Sequence, residues 1–317
     1  MKISILDANT LGDDITLKPI EDIGICDIFP STSPDEVVQR ISDSDVVVIN
    51  KVRLNESNLK DANNLKLICL LATGYDNVDV DYCRAKGIAV CNVEGYSSHS
   101  VAQLTAATVL SLATHLGAYN EFVRDGSYTR SGVANRLTPV YHELWGKTWG
   151  IAGFGNIGRE VGRIAEAFGC KVIVNKRTPI DDYETVDIDT LCRQSDIITL
   201  HTPLNDSTYH LINEKRLSLV KKDVIIVNAA RGSVTDEEAI AKAIENGSIG
   251  AFGTDVYSTE PMPEDHPLYR IRQYPNVILT PHTAWGAKES RERCIYEVSL
   301  NIKAFFDGEI RNRVENK

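Results

Sequence analysis

The stretch TWGIAGFGNIGREVGRIAEAFGCKVIVN (148–175) decides the fold. It opens with a strand-like run, TWGIAGF (148–154), and turns through Gly153-Phe154-Gly155-Asn156-Ile157-Gly158. A helical period then carries IGREVGRIAEAFG into a second strand-like run, KVIVN (171–175). Strand, turn, helix and strand fill one βαβ unit of about 30 residues. A glycine-rich turn alone is weak evidence, since such turns recur for packing; the surrounding unit makes it specific. The first two glycines permit a tight turn and close approach of the backbone to a pyrophosphate. The helix N-terminus offers free N–H donors and a partial positive charge. Gly153, Phe154, Gly155, Asn156, Ile157 and Gly158 are therefore the expected pyrophosphate contacts of a dinucleotide site.

The end of the second strand selects the dinucleotide. A free adenosine ribose is held by an Asp or Glu at this point. The chain has Asn175-Lys176-Arg177-Thr178, with no carboxylate until Asp181. Two cations and two small hydrogen-bonding groups suit a 2′-phosphate, so NADP is favoured over NAD. The alternative is a solvated basic turn, with the ribose held by backbone contacts.

Downstream, strand-like runs continue the alternation: DIITLH (196–201), DVIIVNAA (223–230), IGAFGTDV (249–256) and NVILTPH (276–282), most separated by helices such as DEEAIAKAIENG (236–247). Three polar residues each follow a different strand: Arg231, Glu260 and His282. Ligands of open α/β sheets bind at the carboxyl ends of the strands, so these side chains are expected to converge. Arginine's fork can bind a substrate carboxylate and polarise its carbonyl. Histidine can give a proton to a carbonyl oxygen as hydride arrives, and a neighbouring carboxylate favours the imidazolium. Singly each has a bland explanation, as a turn residue, a solvated acid or a strand cap.

Upstream, ISILD (3–7), VVVIN (46–50), LKLICLLA (65–72) and IAVCNV (88–93) read as strands with helices between. One helix is expected to start at Ser33-Pro34-Asp35-Glu36, which offers a cap, a first-turn proline and a capping-box Glu. A single long helix is expected from Ser98 to Asp125, then a polar arm from Ser127 to Gly146, and a last helix over 287–306. Because the fingerprint lies at 153–158, the cofactor domain cannot begin at the N-terminus. The expected architecture is α/β: two doubly wound parallel-sheet domains, a Rossmann-type domain (100–284) inserted in a flavodoxin-like substrate domain (1–99 and 285–317).

A chain of 317 residues accommodates two such cores. A net charge of −10 and no basic stripe argue against nucleic acid as a partner. No apolar run approaches a membrane span, and MKISILDANT enters a strand without signal-peptide anatomy. Seven scattered cysteines without CxxC or zinc spacing indicate reduced thiols and no metal site, hence a cytoplasmic protein.

These residues resemble the D-isomer-specific 2-hydroxyacid dehydrogenase family. The likeness runs through LLATGYDNVDVDYCRAKGIAVCNVEGYSSHSVAQ (70–103), GKTWGIAGFGNIGREV (146–161), LHTPLNDSTYHLIN (200–213), VNAARGSVTDEEA (227–239), GTDVYSTEP (253–261) and LTPHTAWG (279–286). It implies a catalytic set of Arg231, Glu260 and His282, and a turn, Thr73-Gly74-Tyr75, whose backbone N–H groups meet the substrate carboxylate. It further implies cofactor contacts from Val101, Thr105, His201, Thr202, Pro203, Ala229, Ala230 and Asp255. The implied partners are a small 2-keto or 2-hydroxy acid and a second copy of the chain, paired through the 127–146 arm. Lys176 departs from the acidic residue of NAD-using members, and Glu260 departs from the Gln of formate dehydrogenases. Within the family, 86–103 and the early VVVINKV are similar to glycerate dehydrogenases and hydroxypyruvate or glyoxylate reductases. The alternatives are a dehydrogenase for another small acid, such as D-lactate or phosphite, and a dinucleotide-sensing corepressor-like protein.

Overall fold

The structure, a computed structural model, describes residues 1–316. The chain forms two compact units: Met1–Ser97 together with the segment from Trp285 onward, and Ser98–Ala284.

The first unit holds five parallel strands: β1 (Lys2–Ile5), β2 (Ile25–Ile28), β3 (Val46–Ile49), β4 (Leu67–Leu70) and β5 (Ala89–Cys91). Their order is β2-β1-β3-β4-β5, the flavodoxin-like arrangement. The unbroken apolar runs follow from burial on both faces. Val46 and Val48 enter one core with Leu67, Cys69 and the helix Lys288–Phe306, which contributes Cys294, Ile295, Val298 and Ile302. Val47 and Ile49 enter the opposite core with Ile68 and Leu70. Each such fully buried side chain contributes about 1.5–3 kcal/mol.

The second unit holds seven parallel strands: β6 (Thr148–Ala152), β7 (Lys171–Asn175), β8 (Glu184–Thr185), β9 (Ile197–Leu200), β10 (Ile225–Asn228), β11 (Ala251–Thr254) and β12 (Val277–Leu279). The order is β12-β11-β10-β9-β6-β7-β8, a Rossmann-type sheet with one added edge strand and its switch point between β6 and β9. Both expected sheet types are present.

Three local expectations differ. The apolar run from Ser98 is two helices, Ser98–Thr114 and Leu116–Arg124, bent by 66° at His115, whose φ is 52°. The first buries Val101, Val109 and Leu112 against the sheet, whereas the second buries nothing, so the core stops steering the chain near Leu112. The turn at Ser33 precedes a helix that begins only at Val37. There the Glu36 carboxylate accepts the Ser33 N–H at 2.9 Å, but the Ser33 hydroxyl also donates to Glu36 and so caps no helix N–H. Strands β2 and β8 were not expected; both lie at sheet edges, where Ile25 and Ile28 stay exposed and no apolar pattern develops. Among the described residues, no single helix is long and apolar enough to cross a membrane.

Candidate active site

Strand register gathers the functional positions of the second unit at one edge of its sheet. Ala152 pairs with Asn175 and Leu200, Leu200 with Asn228, Asn228 with Thr254, and Thr254 with Leu279. The residues after these strand ends therefore start from one row: Gly153, Lys176, His201, Ala229, Asp255 and Thr280.

The glycine turn has the form a pyrophosphate needs. Gly153 has φ of 88°, and a Cβ there would lie 2.6 Å from the backbone of His201 and Thr202. Only glycine fits both the conformation and that approach. A Cβ on Gly155 would meet nothing within 4 Å, so open space stands before this residue. The helix Asn156–Ala167 has no side-chain cap, and the first bond of its ladder runs from Arg159 N to Gly155 O. That leaves the N–H groups of Asn156, Ile157 and Gly158 for an anion. Phe154 belongs to the core, 1% exposed and edge-on to Tyr183, so only its backbone faces the turn.

At the end of β7, the Asn175 side chain donates to Val186 O at 3.0 Å. Lys176 is half-buried, Arg177 and Thr178 are exposed, and neither cation enters an ion pair among the described residues. His201 follows β9 with both ring nitrogens sealed from solvent and, among the described residues, without a hydrogen-bond partner, and burial pushes its imidazole down to about 3. Thr202 is half-buried and Pro203 exposed beside it. Val101 and Thr105 are buried in the helix Ser98–Thr114, where the Thr105 hydroxyl donates to Val101 O at 2.8 Å.

Past β10, Ala229 and Ala230 lead into Arg231. The turn is locked by buried Asn228, whose Nδ2 donates to Arg231 O at 2.9 Å while its Oδ1 accepts the Ala230 N–H at 3.0 Å. Past β11 and β12, Glu260 and His282 meet: Glu260 Oε2 lies 2.7 Å from His282 Nδ1. The other Glu260 oxygen accepts the Tyr257 N–H at 3.0 Å. Tyr257 Oη donates to Thr280 O at 2.9 Å, two residues before the histidine; burial pushes this phenol up to about 12, so it remains a donor. His282 has φ of 51°, uncommon for a residue with a Cβ. Buried Asp255 holds the chain on either side: Oδ1 accepts from Thr280 Oγ1 at 2.6 Å and Thr283 N at 2.8 Å, and Oδ2 from Ala284 N at 2.8 Å.

In the first unit, Thr73 Oγ1 donates to Val93 O at 2.7 Å, and Asn92 Nδ2 donates to Thr73 O at 2.7 Å. Among the described residues, the N–H groups of Thr73, Gly74 and Tyr75 donate to no protein acceptor. Three consecutive donors of this kind can take an anion.

Sequence reasoning missed Asn228, Tyr257 and the anchoring part of Asp255. Each acts on backbone across a turn. The one local signal is that all three lie within or just past strand ends that carry candidate residues.

A dinucleotide-type turn at a Rossmann switch point, with an acid–histidine pair past later strands of the same sheet, defines a nucleotide-dependent oxidoreductase class. Comparison with known proteins agrees. The family described as "D-isomer specific 2-hydroxyacid dehydrogenase, NAD binding domain" matches residues 106–284. A hydroxypyruvate reductase of Blautia hydrogenotrophica is 36% identical, over 97% of this chain and 98% of its own. Among solved structures, an acyclic imino acid reductase in complex with NADPH and D-Arg is similar, with TM-score 0.89 and 30% identity over 99% of this chain and 100% of that one. A D-lactate dehydrogenase from Aquifex aeolicus, complexed with NAD and lactic acid, has TM-score 0.87 and 29% identity over 99% of each chain. The chain belongs to the D-isomer-specific 2-hydroxyacid dehydrogenase family.

Proposed function

We propose that this enzyme reduces a small 2-keto acid, of the hydroxypyruvate or glyoxylate type, to the D-2-hydroxy acid, with NADPH preferred to NADH. The observation that carries the reading is the 2.7 Å contact of Glu260 with His282 Nδ1. It orients the ring and directs Nε2, the other ring nitrogen, to proton transfer. The bound dihydronicotinamide supplies the hydride. Arg231 takes the keto acid's carboxylate, and the backbone N–H groups of the Thr73-Gly74-Tyr75 turn are donors available to an anion. His282 protonates the carbonyl oxygen during reduction and accepts the alcohol proton in the reverse direction.

Gly155 and the first turn of the helix Asn156–Ala167 hold the pyrophosphate. Lys176, Arg177 and Thr178 take the 2′-phosphate, a role supported by two cations without ion-pair partners among the described residues and by the missing carboxylate at this strand end. His201, Thr202, Pro203, Ala229, Ala230, Val101, Thr105 and Asp255 complete the cofactor site.

The protein acts in the cytoplasm as a homodimer. The 127–146 arm leaves Leu137, Val140, Tyr141 and Trp145 exposed, apolar surface that a second copy would cover. The test is a panel of 2-keto acids, including hydroxypyruvate, glyoxylate and pyruvate, with NADPH and with NADH. Turnover of hydroxypyruvate or glyoxylate above pyruvate, faster with NADPH, is expected. No turnover with any keto acid would overturn the reading in favour of a dinucleotide sensor.

A further inference from the structure

We infer that Glu237 and His266 are positioning residues for the acid–base pair, mounting the Tyr257–Glu260 turn so that the Glu260 carboxylate meets His282. The inference rests on the roles proposed above for Glu260 and His282. Glu237 and His266 are 7% and 6% exposed, and a buried carboxylate is costly unless hydrogen bonds satisfy it.

Here the bonds converge on one peptide. Glu237 is the first residue of the helix Glu237–Glu245, and His266 caps the helix Pro267–Ile271. His266 Nδ1 accepts the Leu268 N–H at 3.2 Å. The ring proton therefore sits on Nε2, 3.0 Å from Glu237 Oε2. Glu237 Oε1 accepts the Ser258 N–H at 3.0 Å, and Ser258 Oγ lies 3.2 Å from His266 Nε2.

The turn after Arg231 also approaches this peptide closely. A Cβ on Gly232, next to Arg231, would lie 2.0 Å from the Tyr257 carbonyl carbon and 2.1 Å from Ser258 N. The Tyr257–Ser258 peptide thus has contacts from the Arg231 turn and from the Glu237 carboxylate. Its flanking groups reach the pair, since Tyr257 N–H donates to Glu260, and Glu260 meets His282.

The mount itself is stiff. Arg270 bridges Glu245 at 2.8 Å and Glu238 at 2.8 and 3.0 Å, tying the two helices together. The carboxylates acting on Tyr257 are Asp255, Glu260 and Glu237; Glu238 and Arg270 are engaged with each other, and Asp236 caps its own helix. A role confined to core packing would not need an acceptor aimed at the turn.

The test is Glu237→Gln, alone and combined with Glu260→Gln. The amide has one acceptor where the carboxylate has two, so either the Ser258 N–H or the His266 Nε2–H loses its partner. The expected result is a fall in kcat for keto-acid reduction of about ten- to a hundred-fold, the range for losing one hydrogen bond to a charged group. The high-pH limb of the rate profile should move down, as in Glu260→Gln, and move no further in the double variant. A crystal structure of Glu237→Gln should show Glu260 and His282 beyond hydrogen-bond distance. A lowered Tm with the pH limb and the separation unchanged would overturn the inference and leave a packing role. If Glu237→Gln does not fold, Glu237→Asp, one methylene shorter with the charge kept, must displace the limb partway, and an unmoved limb there also overturns it. If the wild type reduces no 2-keto acid, the functional reading falls, and the crystallographic separation alone decides the inference.

Discussion

Glu260→Gln tests the acid–base pair at its centre. The substitution keeps the size of the side chain and an oxygen that can accept from His282 Nδ1, so it separates charge from orientation. The contact is 2.7 Å, and the two side chains are 24% and 32% exposed. A hydrogen bond to a charged group is worth about 1.5–3 kcal/mol, and partial exposure places this pair at the low end of that range. At about 1.36 kcal/mol per factor of ten in rate, the loss amounts to roughly ten-fold. The sign follows from which form each direction uses. Reduction draws its proton from the imidazolium, whose charge the carboxylate offsets, so without that charge the reductive rate falls about ten-fold and its decline begins at a lower pH than in wild type. Oxidation needs the neutral ring, so its plateau is reached at lower pH as well. The assay is kcat/KM against pH in both directions at saturating cofactor. Profiles that coincide with wild type in both directions would refute the pairing as the source of His282 function.

The acid–base residue itself is tested by His282→Ala, which should lower kcat by about a hundred-fold or more while cofactor binding, followed by nicotinamide fluorescence, stays near wild type. Arg231→Lys keeps the charge but loses the planar fork, so KM for the keto acid should rise and kcat fall together; an unchanged KM would remove Arg231 from the substrate site. Arg177→Ala should weaken NADPH about ten- to a hundred-fold and NADH little, Lys176→Asp should turn preference towards NADH, and a wild-type kcat/KM ratio favouring NADH would refute the phosphate role. Burial pushes His201 down to about 3 from 6.5, so its contribution to folding is full above pH 6.5 and is lost as pH falls towards 3. Denaturant unfolding at pH 7 and pH 5 should therefore show wild type losing about 2 kcal/mol more than His201→Phe, and equal losses would contradict a sealed neutral ring.

The two sheets were legible because their central strands are buried on both faces. Val46-Val47-Val48-Ile49 and Ile225-Ile226-Val227 carry β-branched residues at every position, a pattern that an amphipathic helix does not give. The edge strands Ile25–Ile28 and Glu184–Thr185 were not legible, since an edge is specified by its neighbour and not by its own pattern. The bend at His115 escaped for a related reason. No proline marks it, and the apolar residues continue beyond the point where the core ends. Arg231, Glu260 and His282 could be singled out because each follows an identifiable strand. Glu237 could not: Asp236-Glu237-Glu238 reads as a helix cap followed by ordinary first-turn acids, which Asp236 and Glu238 in fact are. Only the fold brings Ser258 to Glu237, and the long sequence separation of Glu237 from His266 hides their pairing from any local pattern.

The polar residues that escaped share a physical origin. A parallel sheet satisfies its backbone groups through the ladder, and here the ladder stops at Asn228, Thr254 and Leu279. The chain beyond must still supply partners for its buried N–H and C=O groups. Side chains supply them instead, with Asn228 serving Ala230 and Arg231, Asp255 serving Thr283 and Ala284, Tyr257 serving Thr280, and Glu237 serving Ser258. Each of these bonds falls within a few residues of Arg231, Glu260 or His282. A group that satisfies the backbone there also sets the direction of the neighbouring functional side chain. His282 illustrates the consequence, since its left-handed backbone is enclosed between Thr280 and Thr283, both bound to one Asp255 oxygen. Removing such an acceptor exposes two effects together, a buried N–H without a partner and a functional side chain released from its direction. Stability and the pH profile should therefore change together in these variants, whereas an equally destabilising cavity elsewhere in the sheet should lower Tm and leave the pH profile in place.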